Sequence, residues 1–419
     1  MKEDILITQI LDSRGNPTLQ AQYRNDSYTI TAAVPSGAST GVHEALELRD
    51  KTEAYSGKAV ATAQKNASKL AKTLSWSPAN FLSADESMIA QDATKNKSLY
   101  GANALLALSQ LQARVQAHQN KQELFALLAE VSENTAVLPL PFANVINGGE
   151  HAENALVMQE FMIVPIHAQS FSEATRQVAE TYHCLKQLIA DTYGPSQTAL
   201  GDEGGFAPDV SDAYEACELL MQAMRVSGHE MAIAMDPAAS EFYREGRYWI
   251  TSEESLTAKE LAEYYVDLAK KYPLISIEDA FDQDDFAAFA HLKKLLLQNG
   301  LRVQIVGDDL TVTNTARIQQ AIDAEACDSL LLKINQIGTI SEALEAAKLA
   351  TSNDWTVMVS HRSGETEDSF IADLAVGLGT GQIKLGAPAR GERTAKYNRL
   401  LTLEALYSLP LRNDFKRKH

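Results

Sequence analysis

Six times in the second half of the chain, a short apolar run of β-formers ends on a charge. MAIAMD ends on Asp236, PLISIED on Glu278 and Asp279, QIVGDD on Asp308 and Asp309, LLLK on Lys333, TVMVSHR on His361 and Arg362, and GQIK on Lys384. An amphipathic helical pattern from Asn314 to Ala326 separates the third and fourth runs, which makes them consecutive βα units. The intervals between successive strand ends are 42, 30, 25, 28 and 23 residues, each room for one strand, one helix and two short loops. A charge at the end of a buried strand needs a partner, because desolvating an isolated one is costly. In a (β/α)8 barrel the carboxyl ends of the strands converge on one mouth, where catalytic groups sit. The pattern therefore predicts a barrel whose mouth gathers carboxylates, two lysines, an arginine and a histidine.

The first part of the chain lacks this period. Ile5–Leu11, Thr18–Tyr23 and Ser27–Val34 read as short antiparallel strands, the last two joined by an Asn25-Asp26 turn. Helical patterns follow over Lys58–Leu74, Ala84–Ala90 and Asn103–His118. At 419 residues the chain exceeds the roughly 250 to 300 that one core organises. A polar, proline-containing break at Ser132–Pro141 supplies the boundary. The expectation is an N-terminal α+β domain over residues 1–131 and a β/α barrel domain over residues 132–419.

The net charge of −18 argues against nucleic acid or an anionic membrane as the main partner. It leaves room for a small anionic substrate if metals or local cations invert the field. Cys184, Cys217 and Cys327 are odd in number and in no CxxC pairing, so neither a disulfide framework nor a zinc site is expected, and a reducing cytoplasm fits. The opening MKEDILITQILDSRG has no basic region followed by a sustained apolar segment, and no run approaches about 18 apolar residues. Neither export nor a membrane span is expected.

Four loops add chemistry. Pro35 to Gly41 is a run of small residues leading into a helix-like pattern from His43 to Arg49, which suits a mobile loop that brings hydroxyls and backbone groups to a phosphate and its metal. Asn147-Gly148-Gly149-Glu150-His151 forms a turn cluster. Gln159-Glu160 opens a buried-looking strand, Phe161 to Pro165. Asp202-Glu203 precedes Gly204-Gly205, where backbone can approach a ligand closely.

These stretches resemble the enolase family. The resemblance is carried by DSRGNPT (Asp12–Thr18), PSGASTG (Pro35–Gly41), INGGEHA (Ile146–Ala152), QEFMI (Gln159–Ile163) and GDEGGFAP (Gly201–Pro208). It continues through SIED (Ser276–Asp279), GDDLTVTN (Gly307–Asn314), LLLKINQIGT (Leu330–Thr339) and SHRSGETED (Ser360–Asp368), in order over nearly the whole chain. It implies an N-terminal α+β capping domain with a mobile active-site loop, then a modified (β/α)8 TIM barrel in which an early strand runs antiparallel. It also implies the reversible dehydration of 2-phospho-D-glycerate to phosphoenolpyruvate.

By motif, the resemblance makes Asp236, Glu278 and Asp308 the ligands of a tighter Mg²⁺, and Ser39 the loop ligand of a second Mg²⁺ that arrives with substrate. Lys333 is then the base at C2, with Glu203 and nearby Glu160 the acid side that assists loss of the C3 hydroxyl. Lys384 would grip the substrate carboxylate, Arg362 and Ser363 its phosphate, and His151 and His361 would add further contacts. The chemistry agrees with these roles. A proton beside a carboxylate is weakly acidic because its loss leaves an enediolate with two negative charges, which cations can stabilise. Sites of this superfamily combine a lysine or histidine base with Mg²⁺. Such a lysine must be neutral to act, and nearby Mg²⁺ and Lys384 would shift it that way. Two neighbouring carboxyls can share one proton and keep an acid available near neutral pH.

Departures from the family pattern lie mostly outside the motifs. Pro237 follows Asp236, and the helical stretch Leu111–Gln122 is unusually polar. Family members are usually homodimers, sometimes homo-octamers. A superfamily lyase acting on another α-proton typically places a Lys-x-Lys pair on an early barrel strand, where this chain has Glu160 and Glu203 instead. A moonlighting binding role of the plasminogen type leans on C-terminal lysines, and the sequence closing on Lys418-His419 does not favour it.

Overall fold

A computed structural model describes residues 3–37, 41–152, 154–251 and 253–415. Strands β1 (Asp4–Leu11), β2 (Pro17–Arg24) and β3 (Thr29–Ala33) form an antiparallel sheet in the order β1-β2-β3. Asn25 makes the turn between the last two, its Oδ1 accepting the N–H groups of Ser27 and Tyr28 at 2.9 and 3.0 Å. Helix Ala102–Gln119 packs on this sheet, burying Leu105, Leu108, Leu111 and Val115. Its polar composition has a structural cause. Gln112 donates to the Ser75 carbonyl at 2.8 Å, and Gln116 and Gln119 accept the N–H groups of Phe81 and Ala79 at 2.9 and 2.8 Å. These glutamines hold the loop that enters helix Phe81–Asp92.

The helix expected from His43 does not form. Ala45 N–H donates instead to the Gln336 carbonyl at 2.8 Å, Leu46 N–H to the Asn96 carbonyl at 2.7 Å, and Leu48 N–H to Asn103 Oδ1 at 3.2 Å. Backbone donors that a helix would use internally are committed to tertiary partners, so the segment runs irregularly along the domain junction.

The barrel begins with β4 (Leu140–Asn147), β5 (Glu160–Val164) and β6 (Ala232–Asp236). The short strands β7 (Tyr243–Arg244), β8 (Arg247–Trp249) and β9 (Ser255–Leu256) form a separate small sheet. The barrel then continues through β10 (Leu274–Glu278), β11 (Gln304–Gly307), β12 (Ser329–Leu332), β13 (Thr356–Ser360) and β14 (Gly381–Lys384), which closes on β4. Seven strands share one direction, while β5 runs antiparallel to both neighbours. That reversal matters for function. It pairs Glu160, the first residue of β5, with Asp236, the last of β6, so both reach the same mouth.

Period-2 alternation along the strands divides the barrel interior in two. An apolar cluster of Leu140, Phe142, Met162, Val164, Ala232, Ala234, Val306, Leu331 and Met358 fills one end. Burying each of the larger side chains contributes about 1.5–3 kcal/mol. Two residues further toward the mouth the same positions become Asn144, Glu160, Asp236, Asp308, Lys333 and Ser360. The strands that build the apolar plug thus deliver the polar layer above it. Among the described residues, no helix is long and apolar enough to cross a membrane.

Candidate active site

Lys384 is the centre of the polar layer. Its Nζ donates to Glu278 Oε1 at 2.7 Å and to Asp236 Oδ2 at 3.0 Å, and lies 2.9 Å from Glu160 Oε2. All four side chains are buried. The surrounding carboxylates outweigh burial and hold the Lys384 ammonium well above its usual range. Lys333 Nζ pairs with Asp308 Oδ2, and Gln336 donates to the other oxygen, Oδ1, at 2.8 Å. Burial alone would lower Lys333, but the Asp308 charge exceeds it and the opposing charges of Arg362 and Lys384, so the ammonium is raised. The lowering expected from Lys384 is therefore present but overridden.

A second group faces this one. His151, Glu160 and Glu203 bring ligand atoms within 4.8 Å of one another. Asn144 donates to Glu203 Oε2 at 2.9 Å, and His361 Nε2 lies 3.2 Å from the same oxygen. Burial opposes ionisation of Glu203, yet the surrounding His361, His151 and Arg393 keep it well below the usual carboxylate range. Burial and then the Glu203 charge push Glu160 well above that range. The two carboxyls are thus pushed in opposite directions, Glu160 toward the protonated form and Glu203 toward the ionised one. Burial also lowers both imidazoles, His361 to about 4.

Arg362 and Ser363 sit on the loop after β13, which the N-terminal domain helps to hold. Ser36 N–H donates to the Gly364 carbonyl at 2.6 Å, and Gly364 N–H returns a bond to the Ser36 carbonyl at 2.9 Å. A Cβ on Gly364 would lie 2.2 Å from Ser36 Oγ, so only glycine permits this approach. Ser36 Oγ in turn donates to Asp12 Oδ2 at 2.5 Å, which gives the DSRGNPT motif a supporting task. Arg362 Nη1 and Nη2 meet the Glu44 carboxylate at 3.0 and 3.1 Å.

A shared cleft at the mouth is lined by His151, Glu160, Glu203, Asp236, Asp308, Lys333, His361, Arg362, Ser363 and Lys384, and Glu278 joins it through Lys384. Ser39 lies outside the described residues. Sequence reasoning did not single out Glu44, Asn144 or Arg393. Glu44 sits within GVHEALELRD and Arg393 within APARGER, but neither polar residue carries a periodic signal that would place it at the mouth.

The acidic groups fit a hard divalent cation. Mg²⁺ prefers a few carboxylates completed by waters and substrate oxygens. Glu278 Oε2 is buried without a hydrogen-bond partner, while lysine ammoniums occupy the other oxygens of Glu278, Asp236 and Asp308. Burial and the Asp236 charge raise Glu278 well above its usual range, and burial with the Asp308 charge raises Asp279 to about 8. Positive charge is what this cluster lacks. A further set, Asp279, Asp308 and Asp309, brings carboxylate oxygens within 4.8 Å of one another.

An α+β domain set against a barrel with one reversed strand, and an acid–base cluster at the strand ends, define a barrel enzyme equipped for proton transfer. The comparisons narrow this class. Residues 3–128 match the family model "Enolase, N-terminal domain" and residues 135–409 match "Enolase, C-terminal TIM barrel domain". The chain is 48% identical over 408 residues to the protein named "Enolase" from Methanocaldococcus jannaschii, covering 96% of this chain and 94% of that one. The chain belongs to the enolase family.

Proposed function

We propose that this chain is a phosphopyruvate hydratase that reversibly dehydrates 2-phospho-D-glycerate to phosphoenolpyruvate with Mg²⁺, in glycolysis and gluconeogenesis. The observation that carries the reading is the convergence of Lys333 with two neighbouring carboxyls, Glu160 and Glu203, on one buried, carboxylate-rich mouth. Asp236, Glu278 and Asp308 would hold the tighter Mg²⁺, and Ser39 would contribute to a second that comes with substrate. When bound, the two ions supply the positive charge that an enediolate needs.

Lys333 removes the C2 proton. It must be neutral to do so: burial, Arg362 and Lys384 act to lower it, against the raising charges of Asp308 and Glu278, which are two of the carboxylates that would hold the cation. Hydroxide is a poor leaving group, so the C3 oxygen departs with a proton from the Glu203–Glu160 side. Lys384 binds the substrate carboxylate, Arg362 and Ser363 its phosphate, and His151 and His361 orient the rest. The same reading makes the chain a cytoplasmic homo-oligomer, a dimer or an octamer, with residues 1–131 capping the barrel of residues 132–419.

The test follows phosphoenolpyruvate by its ultraviolet absorbance with 2-phospho-D-glycerate, with and without Mg²⁺, for wild type and Lys333→Ala. Metal-dependent product from wild type alone is expected. Absence of product from folded, metal-loaded wild type would overturn the reading.

A further inference from the structure

Arg393 is fully buried in the first turn of helix Gly391–Tyr407 and touches the loop after β13 at several points. Its Nη1 lies 2.7 Å from His361 Nδ1 and donates to the Arg362 carbonyl at 2.5 Å. Its Nη2 donates to the carbonyls of Ser363 and Asp202 at 2.7 and 3.0 Å. One turn on, Lys396 donates to Glu365 Oε2 at 2.8 Å and to the Thr366 carbonyl at 2.5 Å. The backbone is cleared for the arginine–histidine contact. Gly386 has φ +80°, and a Cβ there would meet Arg393 Cδ at 2.9 Å and His361 Cε1 at 3.1 Å.

A guanidinium has donors only and stays protonated in proteins. The nitrogen it meets on His361 must therefore be a bare lone pair, which leaves the single ring proton on Nε2. That nitrogen is buried, has no other hydrogen-bond partner among the described residues, and lies 3.2 Å from Glu203 Oε2, though not aligned on it. We propose that Arg393 is a positioning residue that fixes His361 as the neutral Nε2–H tautomer, so that His361 presents a proton donor to Glu203. A neutral donor at this position favours the ionised form of Glu203 and so directs the pair's proton toward Glu160. In the hydration direction this leaves Glu203 ready to take a proton from water; in dehydration the pair's proton must reach Glu203 before the C3 oxygen leaves. Burial first, with Arg393 acting the same way, holds His361 at about 4 against the opposing charges of Glu203 and Glu365. Without the guanidinium the imidazole would be free to take either tautomer or a second proton. The catalytic meaning of this arrangement rests on the dehydratase reading above, but the tautomer does not.

The experiment is magic-angle-spinning NMR of the enzyme labelled with ¹³C,¹⁵N-histidine, the His361 signals being identified by their loss in His361→Gln. An unprotonated Nδ1 and a protonated Nε2, unchanged across the neutral range, are expected. A protonated Nδ1 would overturn the proposal. In Arg393→Met the His361 imidazole should bind its second proton about tenfold more tightly or better, and the corresponding limb of the kcat/KM pH profile should move with it. Arg393→Lys, which keeps a cationic donor, should return both toward wild type. If Arg393→Met folds and neither tautomer nor profile changes, Arg393 is only structural and the proposal fails. If it does not fold, the wild-type tautomer decides. The expected tautomer in a protein without dehydratase activity would sink the functional reading and leave this one standing.

Discussion

Lys384 Nζ and Glu278 Oε1 lie 2.7 Å apart with both side chains buried, and the same ammonium also serves Asp236 and Glu160. One ammonium therefore serves three buried carboxyl groups, and burial with mutual repulsion pushes two of them, Glu160 and Glu278, toward the protonated form. Removing one partner from a buried charge pair typically costs about 3–5 kcal/mol, because the other is left uncompensated. Lys384→Met should destabilise the metal-free protein on that scale in urea denaturation with EDTA. If Mg²⁺ binds at Asp236 and Glu278 as proposed, it supplies replacement charge there, and the variant should gain more stability from added Mg²⁺ than wild type does. Equal gains in both would mean that the ion binds elsewhere.

Lys333 is raised by Asp308 in the arrangement described, so its competence as a base depends on what else Asp308 binds. Lys333→Ala should abolish exchange of the substrate C2 proton, a loss on the order of 10²-fold to 10⁴-fold or more, with Mg²⁺ affinity largely kept. Solvent-deuterium exchange followed by NMR reads this step apart from dehydration. Exchange at the wild-type rate would remove Lys333 from the base role.

Glu203 and Glu160 are separated chemically by their neighbours. Glu203 accepts from Asn144 and has His361 Nε2 at 3.2 Å, whereas burial and the Glu203 charge raise Glu160 despite Lys384 Nζ at 2.9 Å. Glu203→Gln should retain C2 exchange and lose dehydration by roughly 10²-fold to 10⁴-fold. Parallel loss of both steps would show that Glu203 is not confined to the leaving-group side.

The barrel was legible because its signal is periodic. Apolar runs ending in Asp236, Glu278, Asp308, Lys333 and Lys384 follow from strand geometry alone, and each of these residues reaches the mouth. Reversal of β5 carries no such signal in composition, since antiparallel pairing leaves Glu160–Val164 looking like any other buried strand; its direction came from the family resemblance. The segment after Gly41 misled for a different reason. Its helical pattern is real in sequence, but its backbone donors are claimed by Gln336, Asn96 and Asn103 from distant parts of the chain. Arg393 illustrates the remaining limit, because a single arginine in a helix reads as a solvated surface charge until the fold turns it toward His361.

Asp85 allows a stability prediction away from the active site. It lies in helix Phe81–Asp92, fully buried, accepting the Ser109 hydroxyl and the Ser341 N–H on Oδ2 at 2.9 Å each, while Oδ1 has no partner. Burial outweighs those two bonds and raises its pKa from 3.8 to about 7. A carboxyl raised in the folded state binds its proton more tightly there than in the unfolded chain. Its contribution to stability is then complete below the unfolded value and is lost as pH climbs toward the folded one. A tenfold difference in proton affinity between the two states corresponds to about 1.4 kcal/mol, so the loss across this window reaches a few kcal/mol. Asp85→Asn removes the titration while its Oδ1 can still accept from Ser109 and Ser341. Chemical denaturation at intervals from about pH 4 to about pH 8 should show the variant gaining on wild type steadily as pH rises through this window. Two stability curves that run parallel would mean that Asp85 ionises in the fold much as it does in the unfolded chain.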